Sequence, residues 1–176
     1  MTKQEFYNKI SNSKTDLISD FLDILHSKKI HYCVIGGVAI NAHCEPLLTL
    51  DFDCVVIVEG IEKLKEDLKK RNYRVKTHPH TWEITHKASD LRLQIQRDER
   101  YQEFLKKAEV CNLLGYTMRL AGKEDILQGK IWAYEDLERN ELKRAKDLLD
   151  IRRLVQRYPK LEKLLSEKIK RKIKEE

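Results

Sequence analysis

The sequence predicts an α+β fold, a small mixed β-sheet with helices packed on it in the first half and a helical second half. Three observations predict it. Apolar residues alternate with polar ones through Asp90-Leu91-Arg92-Leu93-Gln94-Ile95-Gln96, the period of a half-buried strand. Leu17, Ile18, Phe21, Leu22, Ile24 and Leu25 recur at helical spacing. From Asp98 onward the pattern is helical, apart from an extended piece near Tyr116–Leu120. With 176 residues, the chain suits one domain, a sheet-bearing core over about 28–97 and a helical half over about 98–176.

The elements follow in order. Thr15 or Asp16 can cap the helix that runs to Lys28. A strand over Tyr32–Ile35 leads into Gly36-Gly37 and a short helix from Val38 to about His43. Glu45-Pro46 ends that helix, because a residue before proline disfavours the α region. A strand over Asp51–Val58 is followed by a charged helix from Gly60 to Arg71. Tyr73–Thr77 and Trp82–His86 read as strands around the His78-Pro79-His80 loop. Helices over about Lys123–Glu135, Asn140–Tyr158 and Lys160–Lys174 complete the chain.

Composition narrows the class. Hydrophobic residues make up 41% and charged ones 36%, ordinary for a soluble, helix-rich protein. No apolar run approaches the ~20 residues of a membrane helix, and the N-terminus has no apolar signal region. Cys33, Cys44, Cys54 and Cys111 lack zinc or redox spacing, which points to reduced thiols and a cytoplasmic location. The net charge of +6 is concentrated in the last helix. Without interleaved aromatics, that face reads as a solvated surface before it reads as an RNA site.

The chemistry converges on Ile35-Gly36-Gly37 and, thirteen residues later, Leu50-Asp51-Phe52-Asp53-Cys54. The strand period sends Asp51 and Asp53 to one face. Two like charges so close call for a cation, and oxygen ligands suit Mg²⁺ completed by substrate phosphates. The glycines let backbone approach a ligand without a Cβ in the way. A helix starting there offers free N–H groups to an anion.

Gly-Gly followed by Asp-x-Asp on a strand resembles the polymerase-β-like nucleotidyltransferases. Tyr32 to His43 is similar to the minimal bacterial type that includes the AbiEii and MenT toxin relatives. Asp125 to Ala133 and Lys143 to Ile151 resemble later family segments in kind and order. The resemblance implies a Mg²⁺- or Mn²⁺-dependent transfer of a nucleoside monophosphate from an NTP, ATP for example. The acceptor would be a hydroxyl of RNA such as tRNA, of a protein, or of a small molecule. Asp51 and Asp53 would hold metal, Gly36, Gly37 and Thr49 would line the nucleotide site, Lys130 would contact triphosphate, and Lys146 and Asp147 would close the site or orient Lys130.

Two positions depart from the family pattern. The third carboxylate should fall within Leu91–Ile95, where the central outward residue is Gln94, a neutral oxygen donor. Asp90 points to the same face but lies roughly 13 Å earlier along the strand, and serves as the third carboxylate only in a displaced register. Leu47 stands where relatives often carry arginine. The alternative reading is a nucleotide- or partner-binding module, antitoxin-like or regulatory, that kept the fold and lost turnover. His78, His80 and His86 have neither the spacing nor the partner carboxylates of a metal site, and Tyr101 and Tyr116 are candidates to stack a base.

Overall fold

The computed structural model describes residues 1–175. Its centre is a seven-stranded mixed sheet. The strands are β1 (Tyr32–Ile35), β2 (Asp51–Val56), β3 (Arg74–Thr77), β4 (Thr81–Thr85), β5 (Arg92–Gln96), β6 (Glu109–Leu113) and β7 (Tyr116–Leu120). They lie in the order β3-β4-β5-β2-β1-β7-β6. β2 pairs parallel with β5, and β1 parallel with β7; the remaining neighbours are antiparallel. The helices are α1 (Lys3–Ile10), α2 (Leu17–Ser27), α3 (Gly36–Ile40), α4 (Ile61–Lys70), α5 (Lys123–Glu135), α6 (Glu141–Arg157) and α7 (Glu167–Glu175).

The alternation on the central strands builds the core. Phe52 and Cys54 on β2, Leu93 and Ile95 on β5, and Trp82 and Ile84 on β4 share one buried face. Phe21 of α2 meets Phe52 edge-on, with ring centroids 6.2 Å apart. Asp16 caps α2 by accepting the Ser19 N–H at 3.0 Å, and it also accepts the Tyr116 hydroxyl from β7. All four cysteines are free, with Cys33 and Cys54 buried in the sheet. No helix among the described residues is long and apolar enough to cross a membrane.

Three elements differ from expectation. α1 precedes the anticipated first helix; its start is a capping box, with Thr2 accepting the Glu5 N–H and Glu5 accepting the Thr2 N–H. Strand β6 replaces helix, and forms a hairpin with β7 through Leu114-Gly115, both at positive φ. Leucine in that conformation is unusual, so the turn carries no ordinary sequence signal. The last helix is broken, since Pro159 opens a 3-10 turn to Leu164 and Leu165 is extended. α7 then restarts after Ser166, whose hydroxyl accepts the Ile169 N–H.

Candidate active site

Asp51 and Asp53 stand on the uncovered face of β2, opposite the face that carries Phe52 and Cys54. The parallel register sets Arg92 beside Asp51 and Gln94 beside Asp53. At the first residue of α3, the backbone of Gly36 turns at φ +67°. An added Cβ there would lie 2.1 Å from Asp53 Oδ2. Gly36 therefore makes room for the Asp53 carboxyl. Gly37 has a looser fit, 3.4 Å from the Thr49 side chain. Thr49 is buried, and its hydroxyl accepts the Asp51 N–H at 3.2 Å, which fixes the start of the strand. Tyr7 of α1 donates its hydroxyl to the Thr49 carbonyl at 2.6 Å and pins the same loop.

Gly36→Ala joins a steric clash to a left-handed backbone strained for any L side chain. The expected result is a lower melting temperature, by about 1–2 kcal/mol of backbone strain or more, with loss of any metal-dependent stabilisation. Thermal melts with and without Mg²⁺ check it; an unchanged melt would contradict the fit described.

The electrostatics of the pair are uneven. Burial pushes the Asp53 pKa up to about 6, against the pull of Lys130 and with a further push from Asp51. Asp51 Oδ1 lies 2.7 Å from Arg92 Nε, but without hydrogen-bond geometry, so this buried oxygen has no aligned donor. Two carboxylates short of donors, with the Gln94 carbonyl available nearby, fit one Mg²⁺ completed by phosphate oxygens. Among the described residues, no three His, Cys, Asp or Glu side chains gather to make a metal cage from protein alone.

α5 and α6 form the opposite wall. Lys130 Nζ lies 2.8 Å from Asp147 Oδ1 and 2.7 Å from Asp150 Oδ2. Arg139 Nε meets Asp147 Oδ2 at 2.7 Å, and Arg153 Nη1 meets Asp150 Oδ1 at 2.8 Å. Burial alone would lower the Lys130 pKa, but Asp150 and Asp147 outweigh it and hold the ammonium above its ordinary value. Gly129 brings α5 close to the aromatic wall: a Cβ there would lie 3.0 Å from the Tyr101 ring. Tyr101 donates its hydroxyl to the Gly129 carbonyl at 3.2 Å, and Phe104 stacks on Trp132.

Two adjoining clefts result. One, an open space of about 620 Å³, is bounded by Asp53, Gln94, Gln96, Tyr101, Phe104 and Lys130. The other, of about 570 Å³, is bounded by Gly37, Thr49, both aspartates and a basic rim of Lys130, Arg139, Lys143 and Lys146. Lys143 and Lys146 are exposed and have no carboxylate partner among the described residues. The first cleft offers an aromatic wall and amides; the second, anion-binding charge beside two acidic groups.

Most of the anticipated residues meet here: Gly36, Gly37, Thr49, Asp51, Asp53, Gln94, Lys130 and Asp147 line one cleft or both. Asp90 does not. It is exposed, its N–H donates to the Ser11 carbonyl, and it lines neither cleft. The strand pairing is undisplaced, so Arg92 and Gln94 fill the places level with the pair. Sequence reasoning missed Arg139, Lys143, Gln96 and Asp150. Arg139 sits in the turn between helices, where no periodicity singles it out, but Asp150 follows Asp147 at the i, i+3 spacing that places both on one helix face.

No family model matches the chain, and no curated protein matches it by sequence. Solved structures do match. The lincosamide antibiotic adenylyltransferase LnuA, lincomycin-bound, superposes with a TM-score of 0.56 at 15% identity, over 81% of this chain and 99% of that one. ANT(2'')-Ia in complex with adenylyl-2''-tobramycin gives 0.60 at 16% identity, over 88% and 91%. An antigenic nucleotidyltransferase-like protein from Paracoccidioides brasiliensis gives 0.54 at 19% identity, over 80% and 74%. At such identities the likeness is one of architecture: this chain has the fold of the minimal, polymerase-β-like nucleotidyltransferases.

Proposed function

We propose that the protein transfers a nucleoside monophosphate from an NTP to an acceptor hydroxyl. The observation that carries the reading is the Asp51–Asp53 pair, two carboxylates on one face, opposed across a cleft by Lys130, Arg139, Lys143 and Lys146. Polyanion binding needs such a rim, while a carboxylate pair at its foot would otherwise repel the same ligand. A divalent cation reconciles the two.

Asp51 and Asp53 would hold Mg²⁺ or Mn²⁺, which when bound neutralises charge developing at the α-phosphate and on the leaving pyrophosphate. Lys143 and Lys146 would bind the outer phosphates. Lys130, held by Asp147 and Asp150, would supply a fixed positive field at the junction of the clefts. The nucleoside would then rest against Tyr101 and Phe104. The acceptor oxygen bonds to the α-phosphorus as the bond to pyrophosphate breaks, and its proton leaves to a base.

The neighbouring structures carry lincomycin or an adenylylated tobramycin, so small hydroxylated acceptors stand beside RNA, such as tRNA, and protein as candidates. The resemblance to AbiEii and MenT relatives extends the proposal to a toxin–antitoxin setting in the cytoplasm. A second reading rests on Gln94, which stands level with Asp53 and brings no charge: a binding module of the same fold.

The test is transfer of α-labelled NTPs with Mg²⁺ or Mn²⁺ into total RNA, total protein and a lincosamide and aminoglycoside panel. Label dependent on Asp51, lost by a factor of about 10³ or more in Asp51→Asn, is the expected result, as for removal of a group that acts mainly in the transition state. Absence of label with retained Mg²⁺-dependent NTP binding would leave the binding module.

A further inference from the structure

The reaction proposed above needs a group to accept the acceptor's proton, and no carboxylate stands beside Asp53 to do it. The strand register names a replacement one strand further out. Asp53 pairs with Gln94 on β5, and Gln94 pairs with Glu83 on β4. Directly paired residues share a face, so Asp53, Gln94 and Glu83 stand abreast on the side that carries the clefts. Strand spacing puts Glu83 roughly 10 Å from Asp53 across the sheet, a gap wide enough for an acceptor hydroxyl and the α-phosphate between them. Thr81, two residues earlier on the same face of β4, forms part of the wall of the aromatic cleft, and Glu83 stands on the sheet face just outside that wall.

Elimination points the same way. Asp147 and Asp150 are committed to Lys130, Arg139 and Arg153. Asp98 is engaged by Arg100. Asp90 lies at the wrong end of β5. Glu83 is half-buried, and among the described residues it has no ion pair and no side-chain hydrogen bond. The charged groups on its face are Lys76 and Arg74 on β3, Arg92 on β5, and Asp51 and Asp53 on β2.

We propose that Glu83 is the general base of this protein, with Gln94 as the neutral hydrogen-bonding group that orients the acceptor hydroxyl between Glu83 and Asp53. This rests on the nucleotidyl-transfer reading. The acceptor O–H gives its proton to the Glu83 carboxylate as the oxygen forms its bond to the α-phosphorus and pyrophosphate departs with the electrons of the broken P–O bond. The acceptor approaches over β4 and β5, where the sheet face is lined by polar side chains.

The experiment compares full-length wild type, Glu83→Gln, Gln94→Asp and the double variant in α-labelled NTP transfer across pH 5.5–9, with NTP affinity measured separately. Glu83→Gln is expected to slow transfer by about 10²–10⁴-fold and to leave NTP affinity within about twofold. Adding Gln94→Asp to it should recover transfer, because a carboxylate then stands one strand nearer the pair. The double variant, if folded, shows whether a carboxylate at the centre of the row relieves the dependence on position 83; a double variant that stays as slow as Glu83→Gln would overturn the proposal. Wild-type rates in Glu83→Gln would overturn the proposal and spare the transfer reading. A wild type that binds NTP and labels nothing would overturn both.

Discussion

Asp53→Asn is expected to abolish transfer and, at pH 7 without metal, to raise the melting temperature. Burial lifts the Asp53 pKa from 3.8 to about 6. A carboxyl whose folded pKa is raised favours the fold while protonated. Its contribution is complete below pH 3.8 and is lost as pH rises through about 6. At pH 7 the ionised group costs the metal-free fold about 3 kcal/mol, at 1.36 kcal/mol for each tenfold step in proton affinity. Asparagine keeps the shape without the charge, so the variant should melt about 5 °C higher or more. The gap should close as pH falls to 4. Mg²⁺ should stabilise wild type and leave the variant unmoved. Melts of both proteins over pH 4–8 check this; equal melting temperatures at pH 7, or a gap that widens on acidification, would contradict it.

Lys130→Met should have the opposite effect on stability. Its ammonium lies between Asp147 and Asp150, whose side chains are only 3% and 2% exposed. Removing one partner of a buried ion network leaves charge uncompensated, at a cost of about 3–5 kcal/mol. Arg139 and Arg153 remain on the two carboxylates, which sets the expectation at the lower end. The urea midpoint should drop with the slope unchanged. Lys130→Arg keeps the charge, but its larger planar guanidinium does not fit the buried spot that the compact ammonium fills between the two carboxylates, so partial loss is expected. A Lys130→Met midpoint equal to that of wild type would mean the network is solvated.

What was legible in the sequence was whatever leaves a period or a rare pairing. β2 and β5 alternate because one face is core and the other lines the clefts. Gly-Gly and Asp-x-Asp were legible because close backbone approach and paired charge have few uses. β6 was illegible for a physical reason: an edge strand has no second neighbour, Val110 is 62% exposed, and the apolar alternation that marks a strand has no burial to enforce it. α1 could have been found from its Thr2–Glu5 capping box. The sequence points to β5 for a third carboxylate, because only proximity along the chain is visible there. Glu83 lies across the sheet from Gln94, and only pairing register brings 53, 94 and 83 into line.

The contact between Gly36 and Asp53 reaches beyond this one molecule. The Asp53 carboxyl occupies the volume a side chain at 36 would need, so the two positions are a single steric unit shared by a turn and a strand. Among descendants of this sequence, variation at 36 should be found only where 53 has already shrunk, whereas change at 53 alone leaves the glycine free to persist. Glycine at 36 is held twice, by the Asp53 carboxyl and by its own left-handed backbone, so it should outlast a change at 53.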